Sequence, residues 1–391
     1  MIMDCSQYIG PCSCGREHSL STRKVVVEQD ALRNFEQLME EVGLGGKRRT
    51  VIYDTNIYRI TEGKHVKADQ EIILNAEGLH SEDVLIEDMM KKLDNPEVLV
   101  AFGAGTIMDF GRYPAYKLGI PFVAIPTLAS SDGFTANICS VIIEGQKKSI
   151  PMVAPAMVVV DLDIIKSAPH RLIVSGVNDI LAKYISLLDW EIAHLVSGEY
   201  YCPMVAKLGR EALDTMRAAA EKMAATGEID HEAMTMAQMK GGLTMQLLNH
   251  SRAASGAEHL LAEKAVTPEI AEAFLNMVRR TEQRAIDMGN DLRGSQPTPG
   301  NIEGGITTIE EKSLGAIMKS GSRPIQGVMG YTDMVTYHKG LWIKDTPGRE
   351  PEILTGMACT GAQAMLFSTG RGAPQGYPSM PVIKICGNVN T

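Results

Sequence analysis

The stretch Val98–Asp132, VLVAFGAGTIMDFGRYPAYKLGIPFVAIPTLASSD, constrains the fold of this chain more than any other. Val98–Phe102 is an apolar run of the kind that forms a parallel strand buried on both faces. A glycine turn, Gly103-Ala104-Gly105-Thr106, follows at once. A helix is expected to open at about Ile107, and a second apolar run, Phe122–Ile125, ends in Pro126-Thr127. Strand, glycine turn, helix and strand make a βαβ unit that can seat a phosphate. Glycine lets the backbone come close, and the first helical N–H groups point at the anion. The turn is not GxGxxG, and a plain tight βα turn explains a GxG as well as a nucleotide site does.

The flanking sequence repeats the alternation. Lys24–Glu28, Thr50–Asp54, Glu71–Leu74 and Val158–Asp161 read as strands, and Ala31–Val42 and Val84–Leu93 as helices, the latter capped by Ser81-Glu82-Asp83. Residues 1–168 are therefore expected to form a doubly wound α/β domain. Asp54, an acid at the end of a strand, has the position of a residue that holds a ribose hydroxyl pair and favours NAD over NADP; a helix cap or turn explains it as well. After about Pro169 the spacing becomes helical, over Ile180–Leu195, Pro203–Ala225 and His231 to roughly Glu263, which predicts a helical domain over 169–262. Its methionines read as core filler. Gly289–Gly305 interrupts this pattern. A small α/β segment, 263–391, is expected to carry short strands at Gly340–Lys344, Ala364–Ser368 and Val382–Ile385.

Charge and hydropathy narrow the function. The net charge is −9, with no basic block to hold nucleic acid or an anionic membrane. No apolar run approaches the roughly 18 residues a membrane helix needs. The N-terminus lacks the charged-then-apolar pattern of a signal peptide, so a cytoplasmic protein with reduced cysteines is expected. Cys5, Cys12, Cys14 and His18 cluster near the start, but their spacing fits no standard zinc pattern. They read as a small metal site or, more simply, as reduced thiols in a loop ahead of the first strand.

Six runs, in order, carry a family resemblance: CSCGREH, YDTNIY, GAGTIMDFGR, PTLASSDGFTAN, GVNDILAKYISLLDWE and SRAASGAEH. Over about residues 10–260 the chain resembles the glycerol-1-phosphate dehydrogenases, within the superfamily of iron-type alcohol dehydrogenases, glycerol dehydrogenases and dehydroquinate synthases. The resemblance implies NAD or NADP as hydride carrier. It places Gly103, Gly105, Thr106 and Asp109 at the cofactor pyrophosphate and Asp54 at the adenosine ribose. Thr127, Ser130, Ser131 and Asp132 would lie near the nicotinamide and substrate. Asp179 and His259 would be ligands of a divalent metal, zinc or nickel, with Asp179, His259 and Asp132 the catalytic set. Alone, Asp179 reads as the cap of a helix opened by a Gly-Val-Asn-Asp turn. The implied reaction interconverts dihydroxyacetone phosphate and sn-glycerol 1-phosphate, the substrate is a small phosphorylated ketone or alcohol, and the assembly is a homo-oligomer.

The superfamily's third metal ligand, a second His in an HG context shortly after the first, has no counterpart. No His lies between His259 and His338. A substitute would have to come from further on, with His338 or Glu263 the nearest choices. From Gly256 onward the chain resembles the C-terminal part of altronate and galactarate dehydratases. The runs are GAEHLLAEKAVTP, DLRGSQPTPGNIEGGITTIEEKSLGAIMKSG, KGLWIKDTPG, LTGMACTGAQAMLFSTGRGAPQG and PVIKICGN. Thr307, Thr308, Glu310, Glu311, Lys312, Asp345, Thr346 and Arg371 are its candidate polar groups. A junction between about Ser255 and Lys264 is expected. It leaves two alternatives to the oxidoreductase: a sugar-acid dehydratase, or a chimeric nucleotide-binding protein without turnover.

Overall fold

The computed structural model describes residues 1–143, 146–250, 252–253, 261–288, 317, 320–334, 339–369 and 374–386. The described residues fall into two compact units, one reaching to residue 253 and one from residue 261 on.

The first unit is built on a seven-stranded sheet. Its strands are β1 (Ile2–Asp4), β4 (Lys24–Glu28), β5 (Arg49–Asp54), β6 (Gln70–Leu74), β7 (Val98–Gly103), β8 (Phe122–Pro126) and β11 (Met157–Asp161), in the spatial order β1-β4-β11-β8-β7-β5-β6. Every pairing is parallel except that of the edge strand β1 with β4. A two-residue pair, β2 (Gly10–Pro11) with β3 (Glu17–His18), stands apart from the sheet. So does the antiparallel pair β9 (Ile138–Ile143) and β10 (Gln146–Pro151), which the sequence reading did not assign.

The apolar runs become parallel strands because both faces are covered. Alternate side chains enter two separate cores. Val25, Val27, Leu99, Ala101, Phe122 and Ala124 face one, and Val26, Val98, Val100, Phe102, Val123 and Ile125 face the other. The second core is closed by α1 (Phe35–Glu41) and α2 (Thr55–Ile60). The first is closed by α3 (Asp83–Met90), α4 (Gly105–Leu118) and the helices beyond residue 169. These are α6 (His170–Leu181), α7 (Lys183–Ser197), α8 (Pro203–Thr226) and α9 (His231–Leu248), after a single turn α5 (Leu162–Ile165). The helical segment shares a core with the sheet rather than building one of its own.

Several local expectations are corrected. Residues 31–34 form a 3-10 turn, and α1 begins only at Phe35. Helix α3 starts at Asp83 with no side-chain cap. Ser81 instead donates its hydroxyl to Asp109 (2.8 Å). Helix α9 stops at Leu248, where Asn249 takes a left-handed conformation (φ 57°), well before Glu263. Asp179 does not open a helix; it lies in the last turn of α6, which begins nine residues earlier. No described helix is long and apolar enough to cross a membrane.

The second unit holds two parallel strand pairs, β12 (Ile325–Met329) with β13 (Leu341–Lys344) and β14 (Met365–Thr369) with β15 (Val382–Cys386). It also holds helices Pro268–Asp287 and Glu350–Cys359. The three strands expected here are present, and β12 and both helices are additions. Among the described residues of this unit, the buried cluster centres on Ala262, Phe274 and Leu275.

Candidate active site

The strand order fixes where a ligand can enter. From β5 the chain moves outward to β6, then returns to place β7 on the other side of β5 and continues through β8 to β11. The reversal falls between β5 and β7. In an open parallel sheet, ligands bind in the crevice outside the carboxyl ends of the strands at such a point. β5 ends at Asp54 and β7 at Gly103. The acid and the glycine turn, 49 residues apart in sequence, thus end neighbouring strands at the reversal.

Asp54 caps α2. Its Oδ1 accepts the N–H groups of Asn56 and Ile57, both at 2.9 Å. Only one oxygen serves the cap, so a cap and a ribose contact are compatible in one side chain. Helix α4 starts at Gly105 and has no side-chain cap, which leaves its first N–H groups and the positive end of its dipole for an anion. The two turn glycines are there for different reasons. A Cβ on Gly103 would lie 2.7 Å from the Ile107 side chain, whereas one on exposed Gly105 would meet nothing within 4 Å. Gly103 serves packing, and Gly105 keeps the approach open. Thr106 is half-buried beside it. Thr127 follows β8; its N–H donates to the Gly103 carbonyl (3.1 Å), while its own buried hydroxyl has no partner among the described residues. An unsatisfied buried hydroxyl beside a phosphate-type turn is what a site awaiting a polar ligand presents. The residues present fit a dinucleotide.

Asp109 is engaged inside the protein. Its Oδ2 accepts the Ser81 hydroxyl, its Oδ1 the Cys139 thiol (3.3 Å), and Arg112 Nη1 lies 3.5 Å away. Arg112 also donates to the carbonyls of Gly133 (2.8 Å) and Ile138 (2.6 Å). The pair fixes the middle and the far end of the segment after β8.

That segment, Thr127–Asn137, carries the remaining expected residues. Ser130 and Ser131 are half-buried, and Asp132 is buried. The Asp132 N–H donates to Asp179 Oδ2 (2.8 Å), and Asp132 Oδ2 pairs with Lys183 Nζ at 2.5 Å. The Lys183 side chain is 1% exposed. Helices α6 and α9 grip the segment by close backbone approach. A Cβ on Gly176 would lie 2.1 Å from the Ala129 carbonyl, and one on Gly242 2.1 Å from that of Asp132. Gln238 donates to Ala129 O (2.7 Å), and Thr135 donates to Met239 O (2.8 Å). Sequence reasoning missed Lys183 as a partner of Asp132. A lysine inside an otherwise apolar helical run was the available signal.

His259 and His338 lie outside the described residues, as do Thr307, Thr308, Glu310, Glu311, Lys312 and Arg371. Glu263 is exposed in the second unit. There Asp345 pairs with Arg284 (3.2 Å). Among the described residues, Asp179 joins no convergent group of metal ligands. One carboxylate, with an oxygen already accepting an N–H, does not by itself make a zinc or nickel site.

Comparison with known proteins agrees with this geometry. The family model for "Iron-containing alcohol dehydrogenase" matches residues 26–169. A glycerol-1-phosphate dehydrogenase [NAD(P)+] of Bacillus licheniformis is 35% identical over 267 residues, 65% of this chain and 66% of that protein. One of Hyperthermus butylicus is 31% identical over 248 residues, 61% of this chain and 70% of that protein. The chain belongs to the glycerol-1-phosphate dehydrogenase family. It nevertheless spans just under two-thirds of the length of the Bacillus relative. A probable glycerol dehydrogenase of Sinorhizobium meliloti shares the fold, with a TM-score of 0.52 at 18% identity over 75% of this chain and 95% of that one. The family model for "D-galactarate/Altronate dehydratase, C-terminal" matches residues 234–391. That match begins inside α9, upstream of the Gly256 run from which the sequence reading starts it.

Proposed function

We propose that the first unit binds NAD or NADP and carries a glycerol-1-phosphate dehydrogenase-type oxidoreductase activity, interconverting dihydroxyacetone phosphate and sn-glycerol 1-phosphate. The observation that carries this reading is the meeting of Asp54 and the Gly103–Thr106 turn at the point where the sheet reverses direction. The bound nicotinamide would supply the hydride; the protein's part is aim. Gly105, Thr106 and the N-terminus of α4 receive the pyrophosphate, and the free oxygen of Asp54 takes the ribose hydroxyls. The Thr127 hydroxyl finds its missing partner on the cofactor. Asp132, held by Asp179 and Lys183, then stands at the substrate end of the same segment. The metal half of the reading, zinc or nickel on Asp179 and His259, rests on the family, since Asp179 is the one of these two among the described residues.

The decisive experiment is oxidation of NADH by dihydroxyacetone phosphate with the full chain, after loading with nickel or zinc. Turnover that disappears in Asp179→Asn supports the reading. NADH binding without turnover under any metal leaves a cofactor-binding chain without the chemistry. A second reading, a sugar-acid dehydratase-type module, is favoured by the family match over 234–391; binding of galactarate or altronate independent of NADH would support it.

A further inference from the structure

By sequence the N-terminal thiols form a small metal site or a simple loop cluster, and the structure adds a partner that spacing could not show. The pair β2 and β3 closes a tight loop over Cys12–Arg16, in which the Cys12 N–H donates to Arg16 O (2.9 Å) and the Gly15 N–H to Cys12 O (3.0 Å). Gly15 sits at φ +82°, the left-handed position that favours glycine. The loop presents Cys12 and Cys14 on the side of His18. Cys202, which precedes α8, meets them there, 184 residues from His18 in sequence. Cys5 is not part of the group.

The distances are those of a coordination shell. Cys12 Sγ lies 3.8 Å from Cys202 Sγ, and His18 Nε2 lies 3.3 Å from both Cys14 Sγ and Cys202 Sγ. All four ligand atoms fall within 4.8 Å of one another. A tetrahedral zinc with bonds of about 2.3 Å to sulfur and about 2.0 Å to nitrogen would set sulfurs about 3.8 Å apart and sulfur about 3.5 Å from nitrogen. The cysteines are free thiols, and two sulfurs at 3.8 Å are not a disulfide. The histidine is oriented as a ligand. Its Nδ1 lies 2.9 Å from the Leu247 carbonyl. Donation to that carbonyl fixes the tautomer and leaves Nε2 as the free base facing the sulfurs. The Tyr200 hydroxyl lies 3.1 Å from Cys14 Sγ, a second contact to a ligand atom from outside the set. Cys202 and His18 are buried, and Cys12 and Cys14 half-buried.

We propose that Cys12, Cys14, His18 and Cys202 bind one zinc ion in a closed, four-ligand structural site, separate from any metal on Asp179. Three thiolates and one imidazole complete a tetrahedron and leave no position for substrate, so the ion acts as a clamp. It ties the N-terminal loop to the α7–α8 connection and, through His18, to the C-terminal end of α9.

The test is metal content and spectrum of the full chain expressed with zinc. One equivalent of zinc should remain in Asp179→Asn and fall at least tenfold when Cys202→Ser is added to that variant. Replacement by cobalt(II) in the unmutated protein should give thiolate-to-cobalt charge-transfer bands and the visible bands of tetrahedral cobalt, which reads the ligand set even if Cys202→Ser fails to fold. Absence of those bands overturns the proposal. So does a Cys12–Cys202 disulfide recovered from zinc-loaded protein, or zinc that is lost in Asp179→Asn and kept in Cys202→Ser.

Discussion

At the scale of single residues, the proposed function gives Asp54 two jobs for its two oxygens. Oδ1 holds the first turn of α2 through two N–H bonds, and the other oxygen would take the ribose. The jobs separate in Asp54→Asn. Asparagine caps a helix about as well as aspartate, so thermal stability should stay within about 0.5 kcal/mol, whereas loss of the cap in Asp54→Ala should cost about 1 kcal/mol. The Asn variant nevertheless lacks the charge that favours a ribose diol and disfavours a 2′-phosphate. Its affinity for NADH, measured by fluorescence titration, should fall relative to that for NADPH. Equal change for both cofactors would remove the ribose role. Other residues show why the site was only partly legible. Asp54 is visible because strand-end acids have a positional meaning. The Lys183 ammonium and the Asp132 carboxylate are 51 residues apart, and their pairing at 2.5 Å depends on how α7 meets the segment after β8. Cys202 carries no local signal at all.

At the scale of elements, the strands buried on both faces are readable, whereas the half-exposed pairs such as β9 with β10 and the helix boundaries are not. Strands buried on both faces are written as unbroken Val, Ile, Leu and Phe runs, which composition alone reveals. The Gly-Val-Asn-Asp run reads as a turn because glycine and asparagine break helices, yet Gly176 lies inside α6 because the Ala129 carbonyl leaves no room for a side chain. The helix glycines are contact surfaces. Gly242→Ala should therefore force the Asp132 carbonyl away, at a cost of about 1–3 kcal/mol, read as a lower urea midpoint. Gly105→Ala makes the opposite split. Its Cβ enters open space, so the urea midpoint should hardly move, while NADH binding weakens because the methyl group stands where the pyrophosphate approaches. If Gly105→Ala binds NADH as tightly as the unmutated chain, the phosphate does not lie against this turn.

At the scale of the molecule, the two units have separate cores of unequal size. The first encloses both faces of a seven-stranded sheet together with four long helices. Among the described residues, the second has a few buried side chains, and its paired strands β14 and β15 leave Leu366, Ile383 and Ile385 exposed. Stability rises with the fraction of apolar surface buried, so the second unit should unfold first. Thermal melting followed by calorimetry should then show two transitions instead of one. A ligand stabilises only the unit that binds it, by about 2.7 kcal/mol at a hundredfold excess over its dissociation constant. NADH should move the upper transition and leave the lower one in place, whereas a sugar acid recognised by the dehydratase-like segment should do the reverse. A single transition that NADH shifts as a whole would mean that the segment after residue 256 folds as an integral part of the dehydrogenase unit, and the division seen in the packing would not be a division in stability.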